Sequence, residues 1–203
     1  LVDQLAQPQS DQAQAIHLLN KALEPLFQFY DMRSWFQEGE SLLANLNHRL
    51  TNQPTVETSV NKTDNTRQRL QAKGQARQGW FAFHLGRTNE ARRLLEASLQ
   101  MLRQLSAETE TIFNLNYLGA VLRHQGDFAQ ANRYLLEGLE LAQRQHDRMG
   151  ASVALNVLGQ IASLQGNLEE ARSSSLPKVW RAVAKLKIAA GAPLPCKTWL
   201  TLP

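Results

Sequence analysis

The side chains best suited to chemistry in this chain are five histidines and one cysteine, and their spacing predicts neither a metal site nor a disulfide. The histidines are His17, His48, His84, His124 and His146, and the cysteine is Cys196. A structural zinc site groups Cys and His ligands in closely spaced pairs, and no such pair occurs here. A single cysteine has no partner within the chain. We therefore expect no metal and no cofactor, and we assign the histidines to the surface or to the satisfied core.

Sequence motifs of common enzymes are also missing from the chain. It contains no G-x-x-x-x-G-K-[ST], no G-x-G-x-x-G and no G-x-S-x-G motif. Glu38 and Glu40 are two residues apart, which on a helix points them in different directions and favours a solvated face over a carboxylate pair. The basic stretch "RLQAKGQAR" has no interleaved aromatic residue to stack on bases. We expect no catalytic residues and no direct contact with nucleic acid.

The net charge belongs to the end of the chain rather than to its bulk. The 203 residues carry a formal charge of +4, but residues 173–203 hold five basic residues and no acidic one. Residues 1–172 are therefore close to neutral, which gives no support to nucleic-acid binding. No apolar run approaches the roughly 20 residues of a membrane span, and no signal peptide opens the chain. We expect a cytoplasmic protein with no membrane partner.

A repeat of forty residues organises the middle of the chain. The segments "HLGRTNEARRLL", "HQGDFAQANRYLL" and "LQGNLEEARSSS" each place an alanine five residues after a glycine. The glycines are Gly86, Gly126 and Gly166, and the alanines are Ala91, Ala131 and Ala171. Each unit has apolar residues at helical spacing on both sides of its glycine, which predicts two amphipathic helices. Such a hairpin cannot bury its apolar stripe alone, so it needs stacked neighbours.

The unit around Gly126 shows how the residues set the helix ends. Glycine adopts the left-handed conformation at no steric cost, so Gly126 ends the first helix, and Asp127 then caps the second. Between neighbouring hairpins the sequence predicts burial of Leu118, Leu122, Leu135, Leu139, Leu155 and Leu158.

This pattern resembles the tetratricopeptide repeat. The motif L-x-x-L-G-x-x-L-x-x-x-G-D-F-x-x-A at 115–131 recurs as "LNVLGQIASLQGNLEEA" at 155–171, and a weaker copy with Gln78 in a leucine position covers 66–106. The resemblance implies an all-α fold, an alpha-alpha superhelix built as a solenoid of antiparallel helix hairpins. Its forty-residue unit is similar to the long variant of bacterial signal-transduction ATPases and their regulators.

The predicted organisation has four parts. Residues 1–50 form a degenerate hairpin, with Ser34 in the place of the repeat glycine and Gly39 in that of the alanine. Residues 51–65 are polar and form a flexible loop. The repeats occupy 66–172, as 66–106, 107–146 and a truncated 147–172, with helix pairs near 66–85/88–106, 107–125/127–146 and 148–165/167 onward. Residues 173–203 form an irregular tail.

A shift of reading frame explains the tail. If the array continued, "ALNVLGQIA" of residues 154–162 would recur at 194–202, where the chain has "LPCKTWLTL". Read one base out of frame, the codons of that stretch permit A-L-Q-N-L-A-N-V-A, in phase with the repeat. We expect a frame slip near residues 172–174, with a natural tail as the alternative. The third repeat then lacks a cap, and self-association through it is expected.

The resemblance also implies a binding surface. In tetratricopeptide repeats the first helix of each hairpin lines a concave groove that binds a protein or peptide. Helical spacing places there Trp80, Phe83, His84, Phe113, Asn116, Ala120, Arg123, Asn156 and Gln160. Asn116 and Asn156 are one period apart, and two roles fit them equally, bonding to a ligand backbone or tying neighbouring repeats together. Packing is the alternative role for Trp80 and Phe83.

Two functional classes fit these features. The first is a non-catalytic module for protein or peptide interaction or effector sensing, part of a larger bacterial signalling ATPase or transcriptional regulator. The second is an accessory repeat array of an enzyme, such as a kinase or caspase-like protease, whose catalytic domain lies outside this chain. A P-loop upstream and a DNA-binding helix pair downstream would favour the first class, and a catalytic dyad elsewhere would favour the second.

Overall fold

The computed structural model describes residues 9–52 and 62–165, and this part of the chain is helical with short turns and no strand. Its helices are α1 (Gln9–Met32), α2 (Phe36–Thr51), α3 (Lys62–His84), α4 (Thr88–Gln104), α5 (Glu108–His124), α6 (Phe128–Arg144) and α7 (Arg148–Leu164). The predicted all-α fold is confirmed. None of the described helices is both long and apolar enough to pass through a membrane.

The helices stack as consecutive hairpins. Helices α1 and α2, α3 and α4, and α5 and α6 are the three hairpins, and α7 packs on α5 and α6. The first helices of successive units also contact one another, α1 with α3, α3 with α5, and α5 with α7. Each helix therefore packs against helices close to it in chain order, which is the arrangement of a tetratricopeptide-like superhelix.

The turns inside the hairpins use the left-handed backbone conformation. Gly86 and Gly126 have φ angles of +78° and +80°, which glycine adopts without the steric cost of a Cβ. Ser34 occupies the equivalent turn of the first hairpin with a φ of 56°, as its place in the repeat predicted. The predicted cap of α6 is also confirmed, because the Asp127 carboxylate accepts a hydrogen bond of 3.1 Å from the Gln130 N–H.

Burial agrees with the prediction for α5 and α6 but not for α7. Four of the predicted leucines are buried: Leu118, Leu122, Leu135 and Leu139. The prediction is wrong for Leu155 and Leu158, which are only half-buried. Helix α7 buries another stripe against α5 and α6, formed by Ala151, Ala154, Val157 and Ile161.

The half-buried leucines lie on the side of α7 that corresponds to Leu115 and Leu118 of α5, one repeat earlier. Those two leucines are fully buried because α6 packs over them. The helix predicted to cover α7, from residue 167 onward, lies outside the described residues, as does the predicted tail of 173–203. The described helices leave Leu155 and Leu158 half-buried.

The two regular hairpins bring their helices together at glycine. A Cβ on Gly119 would lie 2.5 Å from Leu135 Cγ, and a Cβ on Gly79 would lie 3.0 Å from Leu95 Cγ. With Ser34 aligned on Gly86, the equivalent residue of the first hairpin is Phe27. The backbones of α1 and α2 approach each other less closely than those of the other two pairs.

The start of α3 differs from the predicted boundary. Helix α3 begins at Lys62, so the end of the predicted loop of 51–65 lies in its first turn. The remainder of that loop, residues 53–61, lies outside the described residues, as do residues 1–8 of the predicted first hairpin.

Candidate binding surface

Five ring side chains of α3 and α5 form one contiguous group, which we call the aromatic cluster: Trp80, Phe83, His84, Phe113 and Tyr117. The Trp80 ring centroid lies 4.1 Å from that of Tyr117 and 5.6 Å from that of Phe83. The Tyr117 and Phe113 centroids are 4.0 Å apart. The structure therefore brings together four of the predicted site residues, and it adds Tyr117, which the sequence argument omitted.

Contacts with the first hairpin fix the exposed edge of the aromatic cluster. The Trp80 Nε1 donates a hydrogen bond of 2.9 Å to Asp31 Oδ1 at the end of α1. His84 meets Trp80 edge-on at 4.3 Å and stacks on Phe36 of α2 at 4.4 Å between ring centroids. Burial lowers the pKa of His84 from its ordinary 6.5, and the nearby charge of Asp31 opposes this shift. His84 nevertheless remains exposed at the surface.

Arg77 is buried beneath the cluster, with only 4% of its surface exposed. Its guanidinium lies 3.4 Å from the Phe113 ring centroid and 5.5 Å from that of Phe27, in cation–π geometry. Its Nη2 forms an ion pair of 2.7 Å with Glu24 of α1. Burial lowers the pKa of Arg77, and the Glu24 carboxylate opposes that shift. Arg77 thus joins α1, α3 and α5 through a single side chain.

Tyr117 is half-buried and lies close enough to this buried cation to feel its charge. Burial raises the pKa of Tyr117 to about 12, and the positive charge of Arg77 opposes the shift. The phenol therefore keeps its proton at neutral pH and can donate a hydrogen bond to a ligand.

A second polar link between the first helices centres on Glu110, which is only 6% exposed. Its two carboxylate oxygens accept hydrogen bonds of 2.8 Å from Nε and Nη2 of Arg69, and Lys73 Nζ lies 3.4 Å away. Burial alone would raise the pKa of Glu110, but the Arg69 hydrogen bonds and the two positive charges bring it below its ordinary 4.5. Lys73 also donates to Asn20 of α1 at 3.2 Å, so this link spans the same three helices.

The two predicted amide side chains, Asn116 and Asn156, differ in burial and in hydrogen bonding. Asn116 is 2% exposed, and its Nδ2 donates a hydrogen bond of 2.8 Å to the Gly150 carbonyl oxygen, which ties α5 to α7. Asn156, one period later, is exposed and accepts a hydrogen bond of 3.4 Å from Gln160 on the same helix. These hydrogen bonds do not involve the aromatic cluster. The hydrogen bond of Asn116 therefore links neighbouring repeats, which is one of the two roles predicted for this amide.

The other predicted residues lie near the end of α5. Arg123 and Ala120 are half-buried, and His124 is exposed with its ring 5.5 Å from that of Phe83.

Residues that sequence reasoning missed carry much of the polar contact in this surface. Arg77 and Tyr117 are one repeat period apart, and Arg77 continues the helical spacing of Lys73, Trp80 and His84 along α3. This shared helical spacing could have identified Arg77 and Tyr117 from the sequence. Asp31 gave no such signal, because the insertion after the first hairpin breaks its register with the repeats. Within residues 9–52 and 62–165, no three Cys, His, Asp or Glu side chains are grouped so as to hold a metal ion.

The helix hairpins stack in chain order, two of them turn at a glycine, and polar and aromatic contacts join their first helices. These are the features of a helical repeat protein. The sequence model of the family described as Tetratricopeptide repeat matches residues 76–144 and 108–174. These overlapping matches span just under half of the chain and support tetratricopeptide repeats at residues 76–174. Comparison with curated proteins gives no match. The repeats suggest a protein-interaction module, in a fold that is typically non-catalytic.

Proposed function

We propose that the chain is a non-catalytic module that binds a protein or peptide along the face shared by α1, α3 and α5. The observation that carries this proposal is the aromatic cluster, whose rings are half-buried with His84 exposed at their edge. Tryptophan, tyrosine and arginine are the residue types that contribute most to binding at protein interfaces. The match to the tetratricopeptide repeat also supports a role in binding a protein or peptide.

The contacts beneath the cluster favour binding because they fix its shape before a ligand arrives. Trp80 is held by Asp31, and the rings of Phe113 and Tyr117 are held by packing and by Arg77. A preformed surface loses less conformational freedom on binding than a flexible one. The rings offer contact area to apolar side chains of a ligand, and the Tyr117 hydroxyl and His84 offer hydrogen bonds at its edge.

We also propose that this module belongs to a larger cytoplasmic protein of bacterial signalling, an ATPase or a transcriptional regulator. The forty-residue period of the repeat supports this context. The alternative is an accessory array of a kinase or caspase-like protease. Sequencing the parent gene separates the two, since a P-loop and a DNA-binding helix pair are expected in the first case and a catalytic dyad in the second.

Selection of a displayed random peptide library against the purified chain tests the binding proposal. Peptides that bind should lose at least about tenfold in affinity, or 1.4 kcal/mol, with Trp80→Ala and with His84→Ala. Leu136→Ala is the control, because Leu136 is an exposed apolar side chain on α6, the second helix of its hairpin. Circular dichroism confirms that each variant is folded. Failure to select any peptide, or binding unchanged by both cluster variants, would contradict the proposal.

A further inference from the structure

Helix α1 carries a second apolar stripe on its solvent-exposed side. Its residues, which we call the α1 stripe, recur at helical spacing and are Leu18, Leu26, Phe29 and Met32. Their side chains are between 41% and 84% exposed. Trp35, in the turn that follows, is also exposed and meets Phe29 edge-on with 5.7 Å between ring centroids. A contiguous apolar surface of this kind marks an interaction site.

The repeat register shows what covers the equivalent stripe one unit later. Aligning the turn residues of the first two hairpins places Leu18 and Phe29 of α1 on Leu70 and Phe81 of α3, which are the same residue types at the same spacing. Leu70 and Phe81 are fully buried, in one cluster with the apolar residues of α1 and α2. Phe81 packs directly on the backbone of α2, because a Cβ on Gly39 would lie 2.6 Å from its Cε2.

The same position is buried in the later units as well. The residues equivalent to Phe29 and Phe81 are Val121 in α5 and Ile161 in α7, and both are buried. Helices α3, α5 and α7 each pack on the second helix of the hairpin before them, which is α2, α4 and α6 respectively. The described helices leave this position of α1 exposed, although it holds the residue types that a helix covers in α3.

We propose that the α1 stripe binds an amphipathic helix of a partner protein, which packs on α1 as α2 packs on α3. The stripe runs from Leu18 to Met32, about 21 Å at 1.5 Å per residue, so a helix of about four turns covers it. Helix α2, with 16 residues, has this length. The proposal does not depend on peptide binding at the aromatic cluster, which lies on α3 and α5.

One difference between α1 and α3 specifies the centre of the partner helix. Leu26 of α1 aligns with Gln78 of α3, whose amide forms hydrogen bonds of 2.8 and 2.9 Å with Asn47 and Glu40 of α2. Leucine can make neither hydrogen bond, and a buried polar group without a partner is costly. The partner helix therefore presents apolar side chains where α2 presents Asn47 and Glu40.

The charges beside the stripe favour acidic residues along the edges of the partner helix. Lys21 and Arg33 are both exposed. The two acidic side chains between residues 12 and 37, Glu24 and Asp31, are bound to side chains of α3. Glutamate or aspartate beside the apolar face of the partner complements this positive rim.

Fluorescence anisotropy of a labelled synthetic peptide tests the proposal with the full chain. The peptide has the length of α2 and keeps the spacing of its buried residues Gly39, Leu43, Leu46 and Leu50, with alanine and glutamate at the other positions. A control peptide has lysine in place of every glutamate. We expect saturable binding of the glutamate peptide and at least about tenfold weaker binding of the lysine peptide.

Leu18→Ser and Phe29→Ser should each weaken binding of the glutamate peptide at least about tenfold. Leu136→Ser is the matched control, because Leu136 is an exposed leucine on α6. Circular dichroism verifies that the three variants are folded. No saturable binding up to about 1 mM peptide, equal binding of the lysine peptide, or equal loss in Leu136→Ser would overturn the proposal.

Sedimentation velocity separates a partner protein from a second copy of this chain. We expect Phe29→Ser to leave the association state of the chain unchanged. If the chain self-associated and Phe29→Ser abolished that association, a second copy would occupy the stripe and the proposal would be wrong.

Discussion

His84 shows how closely one side chain of the surface depends on its surroundings. Three aromatic rings, those of Trp80, Phe83 and Phe36, lie against its imidazole, and Asp31 lies near enough to affect its charge. The rings remove water from the imidazole and disfavour its protonated form, whereas the carboxylate favours that form. The balance between these two effects is measurable.

We expect the His84 imidazole to titrate below 6.5 in an NMR titration, because burial outweighs the charge of Asp31. Asp31→Asn should lower the midpoint further, since it removes the charge but keeps an oxygen for Trp80. Because the pKa of His84 is lower in the folded protein than in the unfolded chain, the folded protein favours the neutral imidazole. The stability that His84 contributes is therefore present above its unfolded pKa and is lost as the pH falls through the folded pKa. A midpoint above 6.5, or an upward shift in Asp31→Asn, would contradict this assignment.

The sequence predicted four of the five rings on this face, but neither Tyr117 nor the groups that hold the rings. Helical spacing places Trp80, His84 and Phe113 on the first helices whatever their partners are. The pairing of Trp80 with Asp31, and the burial of Arg77 between two phenylalanines, depend on how the first hairpin docks against the second. That docking follows an insertion with no repeat periodicity, so no spacing in the sequence encodes it.

At the level of helices, Leu118 and Leu158 are one period apart and differ in burial, which makes them a matched pair. Leu118→Ala should lower the free energy of unfolding by about 2–5 kcal/mol, as for a fully buried leucine. Leu158→Ala should cost clearly less, because its side chain is only half covered. Urea midpoints measure both changes. A cost below about 0.5 kcal/mol for Leu118→Ala, or equal costs, would show that the repeat register is wrong.

The Glu110 link between α3 and α5 gives a second test of helix packing. Glu110→Gln should lower the free energy of unfolding at neutral pH by about 1–3 kcal/mol, because two charged hydrogen bonds from Arg69 are weakened. A depressed carboxyl pKa means that this stability is present above the unfolded pKa and is lost as the pH falls through the folded pKa. The difference between wild type and variant should therefore shrink on acidification, as followed by urea unfolding at several pH values.

Glu137→Gln is the control for that experiment. Glu137 forms an ion pair of 2.6 Å with Arg103, but both side chains are more than two-fifths exposed. Exposed ion pairs contribute little, so a change of at most about 0.5 kcal/mol is expected. Equal effects of the two substitutions would show that burial of Glu110 does not strengthen its link.

The ends of the helices were easier to predict from the sequence than the packing between the helices. Gly86, Gly126 and Asp127 act within a few residues of themselves, so the turns and caps could be identified from local sequence. The burial of Leu155 and Leu158 was predicted from packing by a helix that lies outside the described residues, and there the prediction was wrong. Helices α1 and α2 approach each other less closely than the helices of the other two hairpins, and no local feature of the sequence predicted this.

For the molecule as a whole, we propose that the repeats continue in a shifted reading frame after residue 172. The apolar side of α7 supports this proposal, with Leu155 and Leu158 half-buried and Leu164 59% exposed. A further amphipathic helix would cover that side and prevent self-association through it.

Restoring the frame from codon 173 should therefore raise the melting temperature and reduce association, as measured by calorimetry and light scattering. A synonymous recoding of the same region is the control, because it changes the gene but not the protein. If the restored chain were no more stable and no less associated, residues 173–203 would have to be a natural part of the protein.

Packing between near neighbours also has a mechanical consequence. In the described part of the chain, the main packing of each helix is with helices one or two places away in chain order. Small rotations at successive interfaces add up, so the array can change its length and curvature while each hairpin keeps its own core. Helices α1 and α2 pack on each other less extensively than the helices of the other two hairpins, so we expect the first hairpin to deform most easily.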